Sequence, residues 1–94
     1  MSTRKLEDLT GPEISILSTA YYILDKSLHA HVVKAKILKK VRDVSPKLKK
    51  KAFKSLVSGG FLRKWPTGGS ITYGLNSKGK KAIEKYLRAN INNP

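Results

Sequence analysis

The chain has 94 residues, a formal net charge of +14 at pH 7 and no cysteine. This length suits one domain with a modest core. The missing cysteines exclude disulfides and thiolate metal sites, as expected of an intracellular protein. Because no apolar run reaches the roughly 20 residues that cross a bilayer, and none follows the amino terminus, we expect neither a membrane span nor a signal peptide.

The charge is distributed unevenly along the chain. Residues 1–33 have a net charge of −1, whereas residues 34–94 have a net charge of +15. Half of all lysine and arginine side chains lie in residues 34–54, where Asp43 is the single acid. Such one-sided charge repels itself unless a polyanion neutralises it. Nucleic acid is the first candidate partner, and an anionic membrane surface is the second.

The first half of the chain predicts a polar arm and two helices. Residues 1–9 form the arm. Thr10 and Glu13 have the spacing of a capping box, which predicts a helix over about residues 12–26. Its apolar surface is wider than one buried face needs, so the helix is either central to the core or shared with a partner chain. After a break at residues 27–31, which leaves room for a strand stub, a second helix is predicted over about residues 32–43. Its predicted inward side chains are Val33, Ile37, Leu38 and Val41.

A third helix is predicted over residues 46–58, with Ser45 as its cap and Pro46 in the first helical position. One half of this helix is apolar, and Lys49 falls inside that half with its stem on the core. Lysine near the amino end of a helix is mildly unfavourable, because that end carries partial positive charge. The other half carries Lys47, Lys50, Lys51 and Lys54 and no acidic side chain. A solvated face normally mixes charge signs, so we interpret this acid-free face as a binding surface.

Two β-prone runs, residues 61–65 and 71–76, are separated by the loop PTGGS and predict a hairpin. Arg63 and Lys64 precede the loop, and its small residues let the backbone approach a phosphate or a minor groove. Trp65 is predicted to pack at the base of the hairpin. Ser77 is the predicted cap of a last helix over about residues 78–91, followed by a frayed tail at 92–94.

The order helix, helix, helix, hairpin, helix contains a helix-turn-helix, formed by the second and third helices. The residues Gly60-Phe61-Leu62 and the segment YGLNSKG at 73–79 resemble the start and the return of the wing in winged-helix DNA-binding proteins. The resemblance covers about residues 12–90 and is nearest to the small winged-helix regulators of archaea and their viruses, which are usually homodimers. It implies an α+β winged helix-turn-helix fold: a three-helix core, a two-stranded hairpin wing and a C-terminal helix. It also implies that the third helix lies in the DNA major groove.

Together these features predict one domain, residues 1–94, that binds duplex DNA sequence-specifically as a cytoplasmic, nucleoid-associated transcriptional regulator. Phosphate contacts should dominate, because the third helix contains lysine but no Arg, Asn or Gln. The predicted DNA-binding residues are Ser45, Lys47, Lys50, Lys51, Lys54, Arg63, Lys64, Thr67, Gly68, Gly69 and Ser70. The predicted homodimer interface comprises Ile16, Tyr22, Ile23, Tyr86, Leu87 and Ile91.

Other functions are weighed against this prediction. The lysine density also suits an architectural protein that coats DNA with little sequence preference. An RNA-binding module would need interleaved surface aromatics, and a membrane-surface protein would need an exposed bulky apolar face. The six acids are scattered and no phosphate loop or nucleophile motif is present, so no enzyme is predicted. His29 and His31 lack further ligands, so no metal site is predicted. No cofactor is predicted, and no small-molecule effector is evident from the sequence.

Overall fold

A computed structural model describes residues 8–92, with side chains described through residue 89. Four helices and three strands follow one another in the order α1 (Gly11–Ile23), β1 (Val32–Val33), α2 (Lys34–Lys40), α3 (Pro46–Ser58), β2 (Leu62–Pro66), β3 (Ile71–Leu75) and α4 (Ser77–Asn92). The strands form one antiparallel sheet in the order β1-β3-β2. The α+β class, the three-helix core, the hairpin and the C-terminal helix are confirmed, and β1 is an additional strand.

The amino-terminal boundary of α1 is set by the predicted capping box. The Thr10 amide donates to Glu13 Oε1 at 2.9 Å, and the Glu13 amide donates to Thr10 Oγ1 at 3.4 Å. Leu9 is buried in the core, so this residue does not belong to the predicted polar arm. Residues 1–7 of that arm, and residues 93–94 of the predicted tail, lie outside the described part of the chain.

The second helix is shorter than predicted at both ends. Val32 and Val33 pair with Tyr73 and Thr72 on β3, so these two residues form β1 and α2 begins only at Lys34. Val33 was expected to point inward but is 43% exposed, because the strand turns its side chain to the face of the sheet away from the core. The strand stub therefore lies at residues 32–33 rather than within the break at residues 27–31.

The predicted limits of α3, Pro46 to Ser58, are confirmed, and Ser45 Oγ accepts a hydrogen bond from the Leu48 amide at 3.4 Å. Leu48 itself is exposed, although it lies on the predicted apolar half. Lys49 is half-buried, and its Nζ donates to the carbonyl oxygen of Leu38 at 2.8 Å. Its ammonium therefore lies near the carboxyl end of α2, where the helix dipole favours a positive charge.

The residues that carry the family resemblance meet at one junction between α3, the hairpin and α4. Gly60 has a φ of +84°, a left-handed conformation that glycine adopts without strain. Asn76 Nδ2 donates to the Gly60 carbonyl oxygen at 2.9 Å, and the Asn76 amide donates to the Phe61 carbonyl oxygen at 3.2 Å. A Cβ atom at Gly79 would overlap that Phe61 carbonyl, so the close approach of α4 requires glycine. Ser77 is the first residue of α4 rather than its cap.

The core lies between the helices and one face of the sheet. Its fully buried large side chains are Phe61, Ile16, Leu17, Leu24, Ile37, Leu56, Leu62, Leu75 and Ile83. The predicted dimer contact of Ile16 is wrong, because that side chain is 0% exposed and belongs to the core of its own chain. Tyr22 on the same helix is 60% exposed. The α1 helix is therefore central to the core, and Tyr22 is its large exposed apolar side chain.

Helices α1 and α4 are joined by a partly buried hydrogen bond. The Tyr21 hydroxyl donates to Glu84 Oε2 at 2.8 Å, and the Tyr21 ring is buried. Burial, reinforced by the hydrogen bond to the Glu84 carboxylate, raises the pKa of Tyr21 to about 12. The two helices are thus held together by a polar contact as well as by apolar packing.

Candidate nucleic-acid interface

The outward face of α3 is a continuous lysine surface. Because Phe53 and Leu56 are buried, helical periodicity turns Lys47, Lys51 and Lys54 to the opposite side, and all three are exposed. The helix has no acidic residue in its first turn or elsewhere along its length. The positive end of the helix dipole adds to these charges. The α3 surface therefore presents an unbalanced positive potential to solvent.

A groove of about 360 Å³ continues this surface toward the hairpin. Its lining combines ammonium groups with an apolar floor, and comprises Lys34, Lys50, Phe53, Lys54, Val57, Ser58, Lys64 and Tyr73. On the floor, the rings of Phe53 and Tyr73 meet edge to face, with centroids 4.8 Å apart. A concave surface lined by charges of one sign concentrates the electrostatic potential and attracts ions of opposite charge. The groove therefore suits a polyanion.

Lys34 was not among the predicted site residues. It begins α2, and its Nζ lies 5.6 Å from the centroid of the Phe53 ring. This position depends on the pairing of β1 with β3, which brings the start of α2 beside the hairpin. No local pattern in the sequence indicates that pairing, because two consecutive valines before a lysine also suit the start of a helix.

Arg63 and Lys64, predicted as neighbouring DNA contacts, lie on opposite faces of the hairpin. Lys64 is opposite Tyr73 in the strand register and lines the groove beside α3. Arg63 lies on the other face, where its Cζ is 4.7 Å from the centroid of the Trp65 ring. Adjacent residues of a strand alternate between faces, so this division was available from the sequence. The structure brings Lys64 to the α3 lysines and leaves Arg63 apart from them.

The face of the sheet that carries Arg63 is stabilised by an aromatic stack. His31 stacks on Trp65, with ring centroids 4.4 Å apart and planes inclined by 22°. The Thr72 hydroxyl donates to the Trp65 carbonyl oxygen at 2.6 Å, so His31 Nδ1, 2.9 Å away, donates to that hydroxyl. Trp65 thus packs against another ring, but it lies near the tip and not at the predicted base of the hairpin, because its partner Thr72 is next to the last pair, Pro66–Ile71. Over the described residues, no three metal-binding side chains of the His, Asp or Glu type lie together.

The hairpin tip, residues 67–70, is exposed and internally hydrogen-bonded. The Thr67 amide and hydroxyl both donate to the Ser70 carbonyl oxygen at 2.8 Å, and the Ser70 amide donates back to Thr67 Oγ1 at 3.3 Å. A Cβ atom at Gly68 or Gly69 would meet nothing within 4 Å. The tip therefore offers open backbone on a turn whose shape is fixed by its own hydrogen bonds.

Solved structures resemble this chain, whereas no family model and no curated protein matches it. The protein F-93 of SSV1 is 22% identical, with a TM-score of 0.69 over 89% of this chain and 90% of that one. A mutant of ZitR from Lactococcus lactis and RV1404 from Mycobacterium tuberculosis are each 20% identical, with TM-scores of 0.64. The chain covers 54% and 58% of those two, little more than half their length. These similarities show that the chain has the winged-helix fold.

Proposed function

Proceeding from the winged-helix fold, we propose that the protein binds duplex DNA sequence-specifically and regulates transcription by occupying an operator. In this proposal α3 lies in the major groove, and the wing (residues 61–76) lies on the adjacent backbone or minor groove. The observation that best supports this proposal is the acid-free lysine surface of α3, which continues into the basic groove at Lys64. Such a protein acts in the cytoplasm, at the nucleoid.

The dimensions and the chemistry of α3 support this placement. A helix of 13 residues is about 20 Å long, and a helix fits the roughly 12 Å width of the major groove. Lysine ammonium groups suit phosphate oxygens, so Lys47 at the start of the helix would hold the backbone. We expect phosphate contacts to dominate along α3, with modest direct readout of base edges by Lys50, Lys51 or Lys54. Ser45 caps the helix with its hydroxyl oxygen and supports the binding surface from its end.

The proposal includes a homodimer formed through α1 and α4. Tyr22 is exposed, while Ile23, Tyr86 and Leu87 are half-buried and retain apolar surface for a partner. The side chain of Ile91, the remaining predicted contact, lies outside the described side chains. Two α3 helices would then lie about 34 Å apart and favour half-sites one duplex turn apart. A monomeric mass at micromolar concentration, with and without DNA, would contradict this part of the proposal.

A second function, architectural coating of DNA, is favoured by one observation. The basic residues of α3 are all lysine, and the helix has no Arg, Asn or Gln for bidentate contacts to guanine or adenine. Such a surface can grip any duplex through phosphates alone. The two functions share one binding face and differ in whether base edges are distinguished.

Selection of bound duplexes from a random pool, at near-physiological salt, separates these functions. A sequence motif with two half-sites spaced by about one helical turn would support the regulator. Strong binding without a motif would support the architectural function. A parallel selection with Lys50→Glu provides the matched control, because the variant should retain no duplexes. If the parent protein retains no duplex at any salt concentration, DNA binding itself is wrong.

A further inference from the structure

The wing carries an exposed apolar pair next to its tip. Pro66 and Ile71 are directly opposite each other in the strand register, and both are exposed. Ile71 is 48% exposed, one of the few large hydrophobic side chains with so much of its surface in water. Residues 67–70, which join the pair, form the hydrogen-bonded tip. A protruding β-hairpin gains nothing in its own core from an isoleucine at this position.

Strand alternation places this pair on the same face as the basic groove. Along β2 and β3, the pairs Leu62–Leu75, Lys64–Tyr73 and Pro66–Ile71 follow one another at intervals of two residues, so they share one face. The first pair is buried in the core, and the second lines the groove beside α3. The pair Pro66–Ile71 therefore extends the side of the wing that faces α3 toward the tip, beyond Lys64.

The opposite face of the sheet provides a contrast. There Arg63, Trp65 and His31 contact one another, and Thr72 is hydrogen-bonded to its neighbours. Val33, paired with Thr72, is 43% exposed on that face. Each face thus carries one exposed β-branched apolar side chain, Val33 or Ile71. Of these two, Ile71 lies on the face that continues the lysine surface.

We propose that Pro66 and Ile71 contact the minor groove of the duplex that α3 holds, as an apolar wedge between the sugar walls; this inference rests on the proposed function. Apolar side chains such as proline and isoleucine are used by minor-groove proteins to press between base steps. The continuity of the pair with Lys64, which grips the adjacent phosphates, selects DNA as the occupant. The hydrogen-bonded tip turn joins the two side chains.

The chemistry of the minor groove sets the sequence that this wedge prefers. A guanine presents its amino group in the minor groove, whereas A·T pairs leave the floor free of donors. An apolar side chain cannot hydrogen-bond that amino group, so the wedge should favour A·T pairs next to the half-site. Sequence preference at these flanking positions would then arise from the wing, although α3 contributes only lysines.

The test compares Ile71→Ala with Val33→Ala and Lys64→Ala in duplex titrations over a range of salt. We expect Ile71→Ala to weaken binding about tenfold, because the apolar surface that the isoleucine side chain buries against DNA is lost. Its salt dependence should equal that of the parent, since an apolar contact releases no counterions. Lys64→Ala should weaken binding and reduce the steepness of the salt dependence. Val33→Ala should bind like the parent. Thermal melting of all three establishes that they are folded.

In a second experiment, inosine replaces guanine next to the half-site, which removes the amino group from the minor groove. The parent should bind the inosine duplex more tightly than the guanine duplex, and Ile71→Ala should bind both equally. If Ile71→Ala binds like Val33→Ala, or if it changes the mass of the protein rather than its affinity, the wedge is wrong while DNA binding stands. If the parent binds no duplex at all, the proposed function fails and the wedge with it.

Discussion

Helices α3 and α4 have similar numbers of basic residues but use them differently. Each contains five lysine or arginine side chains, and α4 in addition contains Glu84. In α4, Lys78 Nζ donates to the Gly59 carbonyl oxygen at 2.8 Å and lies 4.6 Å from the centroid of the Phe61 ring. Glu84 accepts the Tyr21 hydroxyl. These charges stabilise the contact of α4 with the rest of the protein.

In α3 the corresponding internal contact is made by Lys49, and four other lysines are exposed: Lys47, Lys50, Lys51 and Lys54. Helix α4 also exposes Lys81, Lys85 and Arg88, but these lie within a turn of Glu84 and do not line the groove beside α3. Helix α3 packs against α1 and β2, and its exposed surface borders the groove that Lys64 of β2 also lines. The number of charges on a helix therefore does not by itself define a binding face. A binding face is defined by the helical spacing of its charges, by the absence of acidic side chains and by whether each charge is already used in a contact within the protein.

The largest expected effect is a loss of DNA affinity from charge reversal on α3. Lys50→Glu and Lys47→Glu each place a carboxylate against the duplex on both protomers, so we expect affinity to fall about 100-fold or more. Each should be as stable as the parent, or more stable by roughly 0.3–1 kcal/mol, because a charge that opposes the helix dipole is replaced by one that agrees with it. A binding titration beside thermal melting measures both.

Lys85→Glu on α4 is the matched control for charge reversal. Lys85 is exposed on a helix that packs against α1 and β3, so we expect less than about a threefold loss of affinity. Equal losses for Lys50→Glu and Lys85→Glu would mean that net charge, not a face, governs binding. A badly destabilised Lys50→Glu would assign that lysine a structural role.

Features set by local chemistry were predictable from the sequence, and features set by distant pairing were not. The limits of α3 follow from Ser45, Pro46 and the two glycines after Ser58, and each acts within a few residues. The strand β1 exists only because β3 pairs with it, so Val33 was wrongly placed. The exposure of Val33 and the role of Lys34 follow from that pairing.

One dimer-interface expectation was wrong, and one pair of predicted DNA contacts is divided between two faces. Ile16 was assigned to a dimer interface because α1 has more apolar surface than one face needs, but the core of its own chain covers that side chain completely. Only three-dimensional packing shows how many sides of a helix are covered. Arg63 was grouped with Lys64 by proximity in sequence, although the alternation of strand residues already separates them.

The second effect in size concerns the junction where α4 begins. Gly79→Ala places a Cβ atom against the Phe61 carbonyl, so the start of α4 must move away from the wing. We expect the free energy of unfolding to fall by about 2–3 kcal/mol. Gly68→Ala at the open tip should change stability by less than about 0.5 kcal/mol. If chemical denaturation shows equal stability for the two variants, the junction tolerates more movement than the close approach indicates.

A smaller effect is expected at the α1–α4 hydrogen bond. Tyr21→Phe leaves the half-buried Glu84 carboxylate without that donor and should cost about 1.5 kcal/mol near neutral pH. Because the pKa of Tyr21 is raised to about 12 from about 10 in the unfolded chain, the native state holds the proton more tightly. The associated stability is complete below about pH 10 and is lost as the pH rises toward 12.

Unfolding curves of the parent and Tyr21→Phe over this range of pH measure the effect. The stability of the parent should fall more steeply above pH 10 than that of the variant. Parallel pH dependence in the two proteins would mean that the hydroxyl titrates as an exposed group. DNA affinity of Tyr21→Phe should stay within about threefold of the parent, since the bond lies on the α4 side.

The smallest expected effect separates Lys49 from the other lysines of α3. Lys49→Met keeps an unbranched apolar stem but loses the hydrogen bond to Leu38, so it should cost about 1 kcal/mol of stability. Its DNA affinity should change less than that of Lys51→Met, in which an exposed lysine is replaced by the same side chain. A larger loss of affinity for Lys49→Met would place its ammonium at the DNA surface instead.

The most direct test of the central claim is the salt dependence of duplex binding by the parent, Lys50→Ala and Lys85→Ala. If a dimer neutralises on the order of 8 phosphates, log affinity should fall with log salt at a slope of roughly −7. Lys50→Ala should make that slope shallower by roughly 2, one unit for each protomer, and Lys85→Ala should leave it unchanged. A parent slope near zero, or the same slope for all three proteins, would contradict a phosphate-binding surface on α3.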